Sequence, residues 1–192
     1  MRIKTLDLSG INSSLYASGL PKNVDKEYNI TKKDFERLGK LSKAPVGSGH
    51  DCSLKGITVN AEVTAGQYWW LQFSRYHFAD IVSSESKMHC IKEMDISERC
   101  KNVEPVIIDV VEQKIIEYLG GYITKEELIS NVPMGLELKA VIVTNYLQLK
   151  TIYNQRRNHE LKSWQKFCDW IEELPLSDLI TGGEKNEILS QL

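Results

Sequence analysis

Residues 57–63 alternate strictly: Ile57, Val59, Ala61 and Val63 are apolar, while Thr58, Asn60 and Glu62 between them are polar. Period two with one apolar face is the pattern of a half-buried β-strand. Such a strand cannot stand alone, because its backbone N–H and C=O groups need partners away from water. The alternation therefore demands further strands, from elsewhere in the chain or from a partner chain. Residues 2–8 are one candidate. The other periodic segments read as helix, so helices should dominate around a small sheet.

The helix signals are local. Thr31 and Asp34 form an acidic variant of the capping box, followed by Phe35, Leu38 and Leu41 at helical spacing, and Pro45 and Gly47 end that helix. Residues 67–79 are dense in aromatics and read as a buried helix, with a polar loop over 83–87 behind it. Over 105–119, Val106, Ile107, Val110, Val111, Ile115, Tyr118 and Leu119 mark one helical face, stopped by Gly120-Gly121. Thr124 with Glu127 opens a short helix that must end near Pro133. The last long helix is predicted over about 145–173, with Leu161, Trp164, Phe167, Cys168, Ile171 and Leu174 as its apolar stripe. Residues 9–30 are rich in Ser, Gly and Asn and read as loop. The N-terminal 1–30 is thus expected to be largely irregular, and the tail 175–192 to fray.

A chain of 192 residues suits one domain spanning 1–192. A formal charge of −2 gives no electrostatic case for binding nucleic acid. No apolar run approaches the roughly 20 residues of a membrane helix. The start, MRIKTLDLSG, lacks the apolar core of a signal peptide, so a cytoplasmic location is expected. Cys52, Cys90, Cys100 and Cys168 are far apart, form no CxxC pair, suggest no metal site and are expected to be free thiols.

Three polar clusters stand out: Gly49-His50-Asp51; Arg75-Tyr76-His77 with the serines of 83–86; and Gln155-Arg156-Arg157-Asn158-His159. Singly, each has an ordinary reading: a loop cap, the exposed side of an aromatic helix, a solvated helix face. Together they hold the donors that a phosphate and a heterocycle need. Arginine binds phosphate bidentately, serine and loop N–H groups bind phosphate oxygens or a base edge, and histidine donates to a ring carbonyl. Trp69 and Trp70 suit a stacking surface or a packed core. The sequence has no GxSxG, P-loop, HExxH or GxGxxG pattern, so any catalysis would fall to a bound cofactor.

The order of these clusters resembles the flavin-dependent thymidylate synthases, whose signature is Arg-His-Arg after an aromatic Gln-Trp run, then a loop Asn-Glu-x-Ser-x-Arg-Tyr. The matching text is Trp70-Leu71-Gln72-Phe73-Ser74-Arg75-Tyr76-His77, then Ser83-Ser84-Glu85-Ser86-Lys87-Met88-His89, with one extra residue between the halves. Gly49-His50 falls at the family's Gly-His turn. Pro133 and Asn145 fall at its spacing between a Leu-Pro and the Asn that starts the last helix. The resemblance runs from about residue 31 to 173. It implies an α+β fold, an antiparallel or mixed sheet flanked by long helices. It also implies that His50, Arg75, His77 and Asn145 face FAD. Gln72, Ser84, Ser86 and Arg156 or Arg157 would face a deoxyuridine nucleotide. The family is a homotetramer that uses reduced flavin to move a methylene from folate to dUMP, with NADPH as reductant.

The sequence departs from that pattern. The signature's His is Tyr76 here, and its second Arg is His77. Met88, Ile129 and Leu147 stand where the family has arginines, and Lys55 where it has a glutamate. Each lost arginine removes charge-assisted bonds worth roughly 1.5–3 kcal/mol. A second reading follows: a non-catalytic oligomeric nucleotide-binding protein that keeps the fold without the reaction.

Overall fold

The computed structural model describes residues 1–183. Four strands form one antiparallel sheet: β1 (Arg2–Ser9), β2 (Thr58–Gly66), β3 (Asp80–Ser84) and β4 (Glu137–Asn145), in the order β1-β2-β4-β3. Helices in chain order are α1 (Ile11–Gly19), α2 (Lys32–Ser42), α3 (Gln67–Phe73), α4 (Lys87–Cys90) and α5 (Ile96–Arg99). They continue with α6 (Pro105–Leu119), α7 (Lys125–Ser130), α8 (Tyr146–Arg156), α9 (Lys162–Glu173) and α10 (Asp178–Thr181). The fold is α+β, as the sequence implied.

The chain groups into two compact units. One comprises Met1–Lys4, Glu62–Tyr76 and Ile81–Ile142; the other comprises Thr5–Ala61, His77–Asp80 and the chain from Val143 on. The first has its own core, in which Ile91, Ile96, Cys100, Val111, Leu128, Val132 and Leu136 pack together. The second buries Leu15, Leu38, Leu54 and Ile57 completely, along with Tyr146, Leu149, Ile152, Trp164, Phe167 and Ile171.

The alternation at 57–63 does what its period requires: Ile57, Val59, Ala61 and Val63 are all fully buried. Its partners are β1, expected, and β4, which the periodicity did not mark. In β4 the run Ala140-Val141-Ile142-Val143 is apolar on both faces and passes straight into α8, so no alternation flags it. Two further stretches expected as loop are ordered. Residues 83–84 close β3, and 11–19 form α1. Ser and Asn disfavour helix only weakly, and burial of Leu15 outweighs them. Gly10 admits the turn into α1. Its φ is +87°, and a Cβ there would lie 1.8 Å from the Gly56 carbonyl oxygen.

Other boundaries also move. The aromatic helix stops at Phe73, with Trp69 and Phe73 stacked in the core at 4.9 Å between ring centroids. The last helix is two, α8 and α9, separated by a turn at 157–161. In α6 only Val111 is fully buried, with Ile108, Ile115 and Tyr118 packed beside it; Val106, Ile107, Val110 and Leu119 are exposed. The tail remains ordered past Pro175, since Leu176, Leu179 and Ile180 are buried; residues 184–192 of that predicted tail lie outside the described residues. All four cysteines are free thiols, and burial pushes Cys168 up to about 11. No helix among the described residues is long and apolar enough to cross a membrane.

Both capping boxes form. In the first, Asp34 accepts from the Thr31 N–H at 2.9 Å and the Thr31 hydroxyl at 2.7 Å. Its carboxylate also meets Lys26 at 3.0 Å and Arg37. Burial opposes ionisation of this carboxyl, but the Thr31 and Lys26 bonds and the Arg37 charge win and hold it well below the usual carboxylate range. A carboxyl more acidic folded than unfolded contributes its full stability above the unfolded value, about 3.9. It loses that contribution as pH falls through the lower folded value. Asp34→Asn should therefore cost about 2–3 kcal/mol at pH 7. In urea titrations across pH 2–7, its deficit against the parent should persist down to about pH 4 and narrow below.

Candidate functional site

Asn145 ends β4 and starts α8, where its Oδ1 accepts the Gln148 N–H at 2.9 Å. This cap explains why an Asn stands there and commits its carbonyl oxygen, leaving the amide NH2 to donate. Hydrogen bonds then draw other segments to this corner of the second unit. The Thr144 hydroxyl donates to the Phe78 carbonyl at 3.2 Å, holding the His77 segment against the end of β4. The Tyr146 N–H donates to the Ile57 carbonyl at 3.0 Å. One turn into α8, Lys150 donates to the carbonyls of Ser42 at 2.7 Å and Ala44 at 2.6 Å, and to Asp51 Oδ2 at 2.7 Å. Asp51 follows His50 directly, so the same helix anchors the turn that carries His50.

His50 and His77 are exposed on these anchored segments. Phe78, beside His77, has φ +61° and is 72% exposed. A left-handed aromatic residue is strained and persists only where its surroundings hold it, here through the Thr144 bond to its carbonyl. The sequence carried no signal for Phe78, since its distinction is a backbone angle.

The remaining expected residues fall elsewhere. Gln72, Arg75, Ser84 and Ser86 belong to the first unit. Gln72 is half-buried in the last turn of α3, and Arg75 is exposed in the turn after it. Ser84 lines a cavity of about 280 Å³ with Gln67, Trp70, Leu71, Met134 and Leu138. Its lining is mainly apolar, suited to a flat ring more than to a phosphate. Trp70 is held there by its indole N–H, which donates to the carbonyls of Ala65 and Leu138, each at 3.1 Å. The Ser86 carbonyl receives the His89 and Cys90 N–H groups at the start of α4. Glu85 is committed to Arg99 through both oxygens and to the Lys139 N–H, and the Arg99 bond holds its carboxyl below the usual range.

Arg156 and Arg157 separate clearly. The Arg156 guanidinium lies 4.6 Å from the centroid of the buried Trp164 ring. Arg157 pairs with Asp169 at 2.6 Å and Glu172 at 3.4 Å on α9. Tyr153 donates to Glu172 at 2.6 Å; burial, then this bond and the Glu172 charge, push its phenol up to about 12. Those exposed ion pairs join the end of α8 to α9 across the turn at 157–161. Among the described residues no group of three or more His, Cys, Asp or Glu could hold a metal ion.

No family model matches the sequence, and no curated protein does. Solved structures match in fold. A flavin-dependent thymidylate synthase from Helicobacter pylori, complexed with FAD and dUMP, superposes with TM-score 0.75 at 16% identity, over 94% of this chain and 97% of that one. A second structure of the Helicobacter pylori enzyme with FAD and dUMP gives 0.73 at 15%, with the same coverage. The chain therefore shares the fold of these enzymes.

Removing the Lys150 ammonium would strand Asp51 and two carbonyls in a buried site. Lys150→Met should destabilise the protein by about 3–5 kcal/mol in urea unfolding. It should also speed hydrogen exchange across residues 47–54 ahead of the rest of the chain.

Proposed function

We propose that the chain binds FAD and a deoxyuridine nucleotide and methylates the pyrimidine at C5, as its resemblance to the flavin-dependent thymidylate synthases implies. The observation that carries this reading is the corner at the end of β4. Three segments bearing His50, His77 and Asn145 are tied there by the Thr144, Tyr146 and Lys150 hydrogen bonds. The shared fold supports it, since the matching structures hold FAD and dUMP.

The flavin residues fit such a group. The side chains of His50, Arg75 and His77 are exposed and have no hydrogen-bond or ion-pair partner among the described residues. In the second unit His50 and His77 offer two imidazoles and Asn145 an amide to ring carbonyls; in the first, Arg75 offers a guanidinium to phosphate oxygens. Reduced flavin supplies the reducing equivalents of this chemistry, with folate as one-carbon donor, NADPH as reductant and a homotetramer as the working assembly. The protein's part is to bind, orient and exclude water, which fits a sequence without a nucleophile constellation.

The nucleotide residues fit less well, and one observation favours the non-catalytic reading. Arg157, one of the two cations offered to the phosphate, is spent on Asp169 and Glu172. Met88 and Ile129 hold no donor where the family has arginines that bind the nucleotide, and Leu147 holds none where it has one near the flavin. Of the rest of that set, Arg156 packs on Trp164 in the second unit, while Gln72, Ser84 and Ser86 belong to the first. On this reading the chain is a non-catalytic oligomeric nucleotide-binding protein that keeps the fold without the reaction and holds its nucleotide in an altered pose.

The visible spectrum after incubation with FAD and gel filtration is the test. The parent protein should retain the flavin band. Arg75→Ala should lose retention by about tenfold or more, the equivalent of one charge-assisted bond. Its exposed position predicts a stability change within about 0.5 kcal/mol. A colourless parent protein that folds cooperatively would overturn the flavin assignment. Unchanged retention in the variant would remove Arg75 from the site.

A further inference from the structure

The first unit carries a second cavity, of about 350 Å³, unrelated to the residues above. It is lined by Arg2, Ile3, Lys4, Glu62, Thr64, Arg99 and Lys139. The register explains the grouping. Residues two apart on a strand share a face, so Arg2 with Lys4 on β1, and Glu62 with Thr64 on β2, stand side by side. The order β1-β2-β4 puts Lys139 in the next row. Arg99 enters from the end of α5.

The cations are unevenly committed. Arg99 is fixed by Glu85 through both carboxylate oxygens. Lys4 has no ion pair among the described residues. Lys139 meets Glu62 only at 3.6 Å and Arg2 meets Glu137 only at 3.7 Å, both beyond good hydrogen-bond distance. Glu137 is already engaged by the Met1 amino group at 2.8 Å. Four cations thus face this space against one lining carboxylate. Thr64 adds the second observation: it is only 4% exposed, it lines the cavity, and its hydroxyl has no hydrogen-bond partner among the described residues. The hydroxyl oxygen itself still reaches the space of the cavity, so it can donate to an occupant there.

We propose that this cavity is an anion site for a di- or oligophosphate group. One carboxylate or monovalent ion would not balance the surplus of charge. Several phosphate oxygens would use the spare ammonium and guanidinium donors together with the Thr64 hydroxyl. No aromatic side chain lines the cavity, so a base would find nothing to stack on. The occupant is either a free inorganic oligophosphate or the phosphate tail of a larger molecule. The proposal uses no residue of the flavin and nucleotide sets and stands apart from them.

The experiment is calorimetric titration of the full-length protein with pyrophosphate and tripolyphosphate, ionic strength matched with sodium chloride. Saturable binding is expected, weakened about tenfold or more in the double variant Lys4→Gln, Lys139→Gln and about threefold in Thr64→Val. Glu62→Gln, which removes the one lining carboxylate and releases Lys139, should tighten binding several-fold, an outcome that loss of fold cannot produce. Lys33→Gln, outside the cavity, should change nothing, and all these variants should retain FAD as the parent does. ATP binding no tighter than tripolyphosphate would assign the site to the phosphate groups alone. ATP binding tenfold tighter and abolished in the double variant would overturn the exclusion of a base. Absence of saturable binding, or affinities equal across the parent, the double variant and Glu62→Gln, would overturn the site.

Discussion

A strand as apolar on one face as β2 leaves a row of N–H and C=O groups that water does not reach, and each must find a partner. The rest of the structure follows from how that demand is met. β1 takes one side of β2 and β4 the other. β4 is paired on both edges, by β2 and β3, so its final residues are positioned by pairings decided elsewhere. The corner where β4 becomes α8 is therefore rigid by inheritance. Asn145 can cap a helix there, and Thr144 can hold Phe78 in a strained conformation, because the strand beneath them has no freedom to slip register.

Lys150 extends that rigidity to the turn that carries His50. A buried ammonium is costly, and this one, 6% exposed, is tolerated because two carbonyls and a carboxylate surround it within 2.7 Å. The arrangement joins the residues after α2, the turn before β2 and the second turn of α8. Hydrophobic packing would join the same elements without fixing their angle. A point charge with three oriented acceptors fixes it, which suits a turn that has to present an exposed side chain in one place.

What was legible in the sequence was what neighbouring residues decide between themselves. Thr31 with Asp34 and Thr124 with Glu127 announced helix starts because both halves of a capping box lie within one turn. The alternation at 57–63 announced a strand because its two faces meet different surroundings. What was not legible depends on distant partners. β4 lacks alternation because both of its faces are covered in part. β3 is a five-residue edge with every residue exposed, so no hydrophobic face marks it. α1 forms against its composition because Leu15 is buried. The break between α8 and α9 lets α9 bury Trp164, Phe167 and Ile171, and Arg157 then meets Asp169 and Glu172, residues 12 and 15 positions away. The candidate site divides along the same line. His50, His77 and Asn145 stand as candidates on their types and order alone, whereas Lys150, Thr144 and Phe78, which hold the segments that carry them, have no mark in the sequence.

The two halves of the proposed chemistry rest on unequal ground, and the inequality has a physical cause. Flavin recognition asks for dispersed hydrogen-bond donors, and dispersed donors survive when one residue type replaces another: His77 in place of an arginine still donates. Recognition of a nucleotide monophosphate asks for concentrated positive charge, and charge is lost outright when Met88 and Ile129 stand at arginine positions and Arg157 is neutralised by Asp169 and Glu172. On the proposed reading, binding of a nucleotide monophosphate is therefore weakened more than binding of the flavin ring. On the sheet face of the first unit, by contrast, Lys4 has no ion pair among the described residues and Lys139 meets Glu62 only at 3.6 Å, beside the Thr64 hydroxyl, so positive charge there exceeds what the lining neutralises.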